Sequence, residues 1–241
     1  MSCLLYCIFR GRLPAALEIP DGVGGHRVFT ANYHGFGAAL SELREPDSLP
    51  DISKLLVYET VVESFYRHLT VIPMRYGCRV GCPYEAIVFL RENHAAYGAL
   101  LHELEGLAEM GIQVLLDNPR AEAETDRLAI PPECFPPRSG LSGAAYLDAK
   151  KLHYLGAQRA TMLQNALVEK LCDSLYGSFL RHKVELPSSR RSHLMSLYFL
   201  VPRDSVESFR QAARHLPPNQ SVKLLLSGPW PPYNFVDSLQ A

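Results

Sequence analysis

The sequence carries no surplus of charge of either sign: 24 Lys and Arg stand against 25 Asp and Glu, a net charge of -1 over 241 residues. A protein that neutralises a phosphate backbone needs a basic excess, so nucleic acid is not an expected partner. A long hydrophobic run is also missing. The apolar opening from Cys3 to Phe9 is far shorter than the roughly 20 residues a membrane helix requires. Arg10 and Arg12 follow that run, where a signal peptide would carry its charges in front, so no membrane association is expected. The six cysteines (Cys3, Cys7, Cys78, Cys82, Cys134 and Cys172) lack the dense spacing of a secreted disulfide scaffold and fit a reducing cytoplasm. On a regular strand Cys3 and Cys7 share a face about 13 Å apart, too far for a disulfide or a common metal, and read as core residues. Cys78 and Cys82 bracket a turn, but no histidine pair at ligand spacing accompanies them.

Catalytic signatures are absent as well. The chain has no nucleophile elbow, no paired-carboxylate motif, no His-Glu-x-x-His run and no dinucleotide fingerprint. Gly22, Gly24 and Gly25 lack the strand-to-helix setting and the lysine of a phosphate loop and read as a mobile turn. No catalytic, cofactor or metal residue is therefore expected, and the chain reads as a structural protein. The rival reading, a small-ligand-binding or catalytic protein, requires a pocket with convergent polar groups around Arg75, His94 or Cys78.

What is present is a hydrophobic fraction of 47%, enough for a sizeable core or two modest ones. Short apolar runs predict strands at Cys3–Phe9, Val71–Met74, Ile112–Leu116, Leu194–Val201 and Val222–Leu226. Ile87, Leu90, His94, Tyr97, Leu101 and Leu104 recur at helical spacing, with His94 expected at a core or interface position. A second helical face carries Val206, Phe209, Ala213 and Leu216. These units predict an α+β protein with two domains. Residues 1–69 form a small N-terminal α+β domain whose helix carries Tyr58, Val61, Val62, Phe65 and Leu69. Residues 70–227 form a ferredoxin-like (split βαβ) domain with a helical insertion over about 144–182, reached by the proline-rich stretch Pro131–Pro137. Gly156 and Gly177 are the expected helix breaks. Residues 228–241 form a C-terminal tail packing across the domains.

Two segments combine rigid proline with aromatics: Val71 to Gly77, and Ser227 to Val236. In the first, Pro73 inside a strand pattern indicates an edge or a bulge. Arg75 beside Tyr76 sets a charge against a buried run, to be met by Glu59, by Glu109 or by a carboxylate of a partner. In the second, Pro229, Pro231 and Pro232 remove amide donors, so the segment is expected to leave the sheet and cross a surface. Trp230, Tyr233 and Phe235 then dock on the chain's own domains or anchor another protein, with Trp230 the expected fastening point.

These segments carry a resemblance to the gas vesicle protein family GvpF/GvpL. Pro73, Met74, Arg75 and Gly77 match its Pro-Met/Leu-Arg-Phe-Gly element, Tyr76 keeps the aromatic, and Glu59 matches in the preceding helix, where Tyr58 replaces the family's histidine. The helix ending Leu104-Glu-Gly-Leu-Ala-Glu109, the Gly143-x-x-Tyr146-Leu147 element and the tail Gly228-Pro-Trp-Pro-Pro-Tyr233 with Phe235 are similar to later sections of the family. The resemblance implies a minor structural component or assembly factor of gas vesicles, the gas-filled protein compartments that give aquatic microbes buoyancy in the cytoplasm. It further implies binding to the apolar shell protein GvpA and to other accessory Gvp proteins, with Glu59, Pro73, Arg75, Tyr76, Trp230, Tyr233 and Phe235 as structural or partner-binding candidates.

Overall fold

A computed structural model describes residues 2–44, 51–116, 162, 164–186, 194–216 and 222–236. The first sheet grows from strand β1 (Ser2–Arg10), in which Leu4 to Ile8 are each no more than 1% exposed. Its order is β2 (Val28–Tyr33), β3 (Phe36–Leu43), β1 and β4 (Val71–Pro73), with the short β5 (Arg79–Val80) also on β1, and every pairing is antiparallel. The β2–β3 turn, His34-Gly35, holds both residues at positive φ (44° and 84°), as the hairpin turns that follow strand twist require.

Between Leu5 and Cys7 the ladder with β3 skips one residue, so Tyr6 is the extra residue of a bulge. The bulge breaks the alternation of faces. Leu4, Tyr6, Cys7 and Phe9 enter one core cluster, while Cys3, Leu5 and Ile8 enter the other. Cys3 and Cys7 consequently lie on opposite faces, which corrects the regular-strand expectation that they share one.

Both faces are covered. Helix α1 (Ile52–Tyr66) starts at Asp51, whose carboxylate accepts the Ser53 amide at 2.7 Å. It sets Tyr58 on Tyr6 with ring centroids 4.8 Å apart and Phe65 on Phe9 at 5.3 Å. Helices α2 (Pro83–Glu92) and α3 (His94–Glu103) cover the second face with Ala86, Leu90, Tyr97, Leu100 and Leu101. The single helix expected from periodicity is broken at Asn93, whose side-chain amide donates to the Phe89 carbonyl at 3.0 Å and competes with the helical ladder. The break leaves His94 exposed against the rings of Phe36 and Tyr33, so it is not the core residue its spacing suggested. Gly22 to Gly25 is not a loose turn: Val23 is buried and its amide donates to the Tyr6 hydroxyl at 2.9 Å.

The second sheet contains β6 (Leu107–Leu116), β7 (Arg181–Glu185), β8 (Leu194–Pro202) and β9 (Val222–Trp230) in the antiparallel order β7-β8-β6-β9. Helix α4, residues 164–174, precedes β7, and α5 (Val206–Arg214) links β8 to β9. Leu171, Leu175 and Phe209 bury one face of this sheet. Gly177 turns the chain after α4 at φ 84°, whereas Gly156, the Gly143–Leu147 element and the Pro131–Pro137 stretch lie outside the described residues.

The strand order corrects the expected domain plan. Val71–Pro73 pairs with β1 and not with the second sheet, so the boundary expected at residue 69 falls inside one sheet. Its expected place is filled by β7, a charged strand whose first residues overlap the end of the expected helical insertion. β6 also starts at Leu107 instead of Ile112, because Gly106, at φ 70°, ends the helical segment and turns the chain.

One hydroxyl ties α1 to the sheet. Tyr58 Oη donates toward the carbonyls of Leu5 at 2.9 Å and Met74 at 2.8 Å, bridging β1 and the segment after β4. Tyr58→Phe keeps the ring stack and removes this bond. It should lower unfolding free energy in urea by about 1–2 kcal/mol without changing the denaturant slope, and an unchanged midpoint would refute the assignment.

Candidate functional site

Of the expected site residues, Tyr233 and Phe235 lie at the seam where the two sheets meet. At one end, Tyr66 of α1 donates its hydroxyl proton to the Leu107 carbonyl at 3.0 Å. Arg203, just after β8, lies over the Tyr66 ring at 3.9 Å and donates to the Tyr66 carbonyl at 2.8 Å. Its backbone amide reaches the Gly106 carbonyl at 2.9 Å. This guanidinium is fastened by stacking and by a directed hydrogen bond together, a combination that lysine cannot reproduce. An ion pair between Arg181 of β7 and Glu103 of α3 joins the units a second time.

The other end is closed by the C-terminal strap, residues 231–236. Strand β9 does not stop before the prolines as expected. It continues through Pro229 to Trp230, which pairs with Glu109 after a shift of register. This is possible because β9 is an edge strand, where a missing amide donor leaves no ladder bond unmade. The Gly228–Pro229 peptide is cis, and Gly228 sits at φ 103° with space for no side chain, since a Cβ would approach the Glu109 carbonyl oxygen to 2.7 Å. Arg210 of α5 donates to the Gly228 carbonyl at 2.8 Å.

Beyond Trp230 the chain makes a short 3-10 turn, Tyr233–Phe235, gripped by one buried carboxylate. Glu109 is 3% exposed and accepts the Asn234 amide at 2.8 Å and the Asn234 side-chain amide at 2.7 Å. Burial pushes the Glu109 carboxyl up to about 7, against the pull of the Asn234 bonds and of Lys183. Phe235 and Val236 are buried, with Arg181 and Lys183 over the Phe235 ring at 5.5 and 5.8 Å. The Tyr233 hydroxyl is pushed well up by burial, with Cys7, Glu59 and Glu109 adding to the shift, so it stays protonated between residues of both sheets.

Among the other candidates, Pro73 closes the short edge strand β4, as a proline within a strand pattern requires. Tyr76 packs edge-on against Tyr58 at 5.3 Å. Glu59 is half-buried beside Glu63, and both burial and that neighbour raise its carboxyl. Arg75 is exposed, so the expectation of a buried charge there is not met, and both Glu109 oxygens are engaged by Asn234 instead. Trp230 is 38% exposed and is not the main anchor of the strap. Sequence reasoning passed over Asn234, Tyr66 and Arg203. The available signal was Glu109, a lone carboxylate within the apolar run Leu107–Leu116.

The arrangement is one of clamps and seals. Burial raises the thiols of Cys3, Cys7 and Cys78, which makes them poor nucleophiles. A shallow depression at Gly11, Arg12, Asn32 and Phe36 is lined by none of Arg75, His94 and Cys78. Among the described residues, no group of three or more His, Cys, Asp or Glu is placed to hold a metal, and no helix is long and apolar enough to cross a membrane.

The fold is shared with solved gas vesicle proteins. GvpF from Anabaena sp. PCC7120 superposes with a TM-score of 0.70 at 19% identity, covering 98% of this chain and 95% of that one. GvpF from Microcystis aeruginosa gives 0.72 at 17% identity, covering 98% of each chain. In sequence, gas vesicle protein F2 of Halobacterium salinarum is 22% identical over 226 residues, covering 92% of this chain and 86% of the relative. Gas vesicle protein F of a Streptomyces species is 26% identical over 260 residues, covering 98% and 100%. The model of the gas vesicle synthesis protein GvpL/GvpF family matches residues 2–237, and the chain belongs to that family.

The strap geometry separates its aromatics. Phe235→Ala empties a sealed position and should destabilise by about 3–5 kcal/mol, whereas Trp230→Ala, at a half-exposed strand end, should cost at most about 1.5 kcal/mol. Thermal or urea unfolding of the two variants checks the order, and the reverse ranking would make Trp230 the anchor.

Proposed function

We propose that this chain serves gas vesicle formation as a minor structural component or assembly factor, binding the hydrophobic shell protein GvpA and limiting its aggregation. Family membership supports a gas vesicle-associated role and hence a location at gas vesicles in the cell. The observation that carries the finer reading is the outward face of α1. Tyr58, Val61, Val62 and Phe65 are buried on its inner side, yet Ile52, Leu55 and Leu56 point outward with 76, 41 and 58% of their surface exposed. Val57 adds to the same end of the helix. A helix apolar on both sides is normally enclosed, so this stripe suits an apolar partner. Covering apolar surface on a subunit before it enters a wall opposes aggregation through area burial, with little dependence on charge. No catalytic step is needed, and accessory Gvp proteins are further candidate partners.

The second sheet supports the architectural side of the proposal. With α4 before β7 and α5 between β8 and β9, its order β7-β8-β6-β9 is that of a split βαβ unit, beginning at β6. Such a unit leaves one sheet face free of helices, and Leu115 and Leu225 are exposed on it. The α1 stripe, where Ile52 is the most exposed of these side chains, is assigned the contact.

Co-expression with the shell protein tests this. Leu55→Glu combined with Leu56→Glu should leave unfolding free energy within about 0.5 kcal/mol of the parent, because both side chains are exposed. It should also shift shell protein from the soluble fraction to the pellet and abolish co-purification. Equal solubility and co-purification with the double variant would remove α1 as the contact surface. A parent protein that neither solubilises nor retains the shell protein would sink the chaperone reading altogether.

A further inference from the structure

Glu109 is a buried acid gripped by one residue of the strap. Backbone and side-chain N–H groups of Asn234 reach its two oxygens at 2.8 and 2.7 Å. The strap follows Gly228 and Pro229 and opens with Pro231 and Pro232, and its aromatic end is shut into the core with Val236 fully covered. We propose that Glu109 and Asn234 form a proton-operated latch, which closes most firmly when Glu109 is protonated and loosens the strap as Glu109 ionises.

Two forms of the latch are chemically available. Ionised Glu109 accepts both Asn234 donors, as the geometry has it. Protonated Glu109 still accepts the backbone amide, while the side-chain amide of Asn234, rotated by half a turn, presents its carbonyl to the acid proton. The neutral form keeps two hydrogen bonds without placing a charge in the seam. Opening the strap returns the carboxyl to water, where its ionised form is favoured.

The groups around Glu109 set the direction. Lys183 of β7 favours the ionised form, and Glu185 on the same strand opposes it. Tyr66 of α1, Tyr198 of β8 and Tyr233 of the strap also face it, and all three are neutral hydroxyls whose ionisation Glu109 discourages. Arg203 is committed to the ring and carbonyl of Tyr66. Burial outweighs the favourable contacts and brings the closed-state carboxyl to about 7, above its ordinary value of 4.5. The closed strap therefore binds a proton more tightly than the open one. Its stability is full below the ordinary carboxylate value and is lost as pH rises through the window from 4.5 to about 7.

This device is independent of shell-protein binding and can be read on the isolated full chain. Amide hydrogen exchange of Asn234 and Phe235, normalised to intrinsic rates, should show protection falling by about tenfold or more between pH 5 and pH 7.5. Backbone amides in the centre of β1 should show no such pH dependence. Glu109→Gln, a neutral isostere of the acid, should flatten the strap profile. Asn234→Ala should lower strap protection at every pH while leaving β6 intact. A flat profile in the parent protein overturns the latch, as does a Glu109→Gln variant that retains the parent's pH profile.

Discussion

The architecture depends on a single constraint, that β1 is apolar on both faces. A strand of this kind cannot border water, and its five central residues are enclosed only because α1 lies on one side and α2 with α3 on the other. Tyr6 makes the constraint stricter. The bulge there sends two successive side chains to the same face, and the Tyr6 hydroxyl finds Ser41 and Val23 on that side. Gly37 belongs to the same packing: the Phe9 ring occupies the space of its missing side chain, with Phe9 Cζ 2.2 Å from where a Cβ would stand. Sequence at these few positions thus fixes how closely helix and sheet approach.

The two sheets do not meet through a plain hydrophobic face. Their seam mixes apolar clusters with groups that are costly to bury: a guanidinium over Tyr66, a carboxylate at Glu109 and cations over Phe235. Each such group has a directed partner, so the seam specifies one arrangement of the units where an all-apolar seam would tolerate sliding. The strap shares this character, combining a rigid proline approach with a polar grip and an aromatic seal.

Much of this was legible in the sequence. The periodicity of α1 and α5 marks their buried faces, and the apolar runs at β1, β8 and β9 are strands. The strands that escaped notice have physical reasons for doing so. Half of β3 is Gly37, Ala38, Ala39 and Ser41, small residues with weak strand preference, of which Gly37 packs under Phe9 and Ser41 meets Tyr6. β7 is an edge strand whose Arg181, Lys183 and Glu185 reach water, the strap and Glu103, so it has no apolar signature. The seam was harder still, since Glu109 and Asn234 lie 125 positions apart and nothing in either stretch points to the other. For Val71–Pro73, the apolar run identified a strand, but pairing with β1 instead of the second sheet is a tertiary choice that local pattern does not encode.

Trp230 is the only tryptophan in the chain, and it sits at the last rung of β9, where the ordered ladder gives way to the strap. The molecule therefore carries its own optical label. Its near-ultraviolet emission comes from one indole, half in solvent, at the junction whose opening matters most. No second tryptophan in the core dilutes that signal, so a spectral shift, quenching or anisotropy change in an unlabelled sample maps to a single known place.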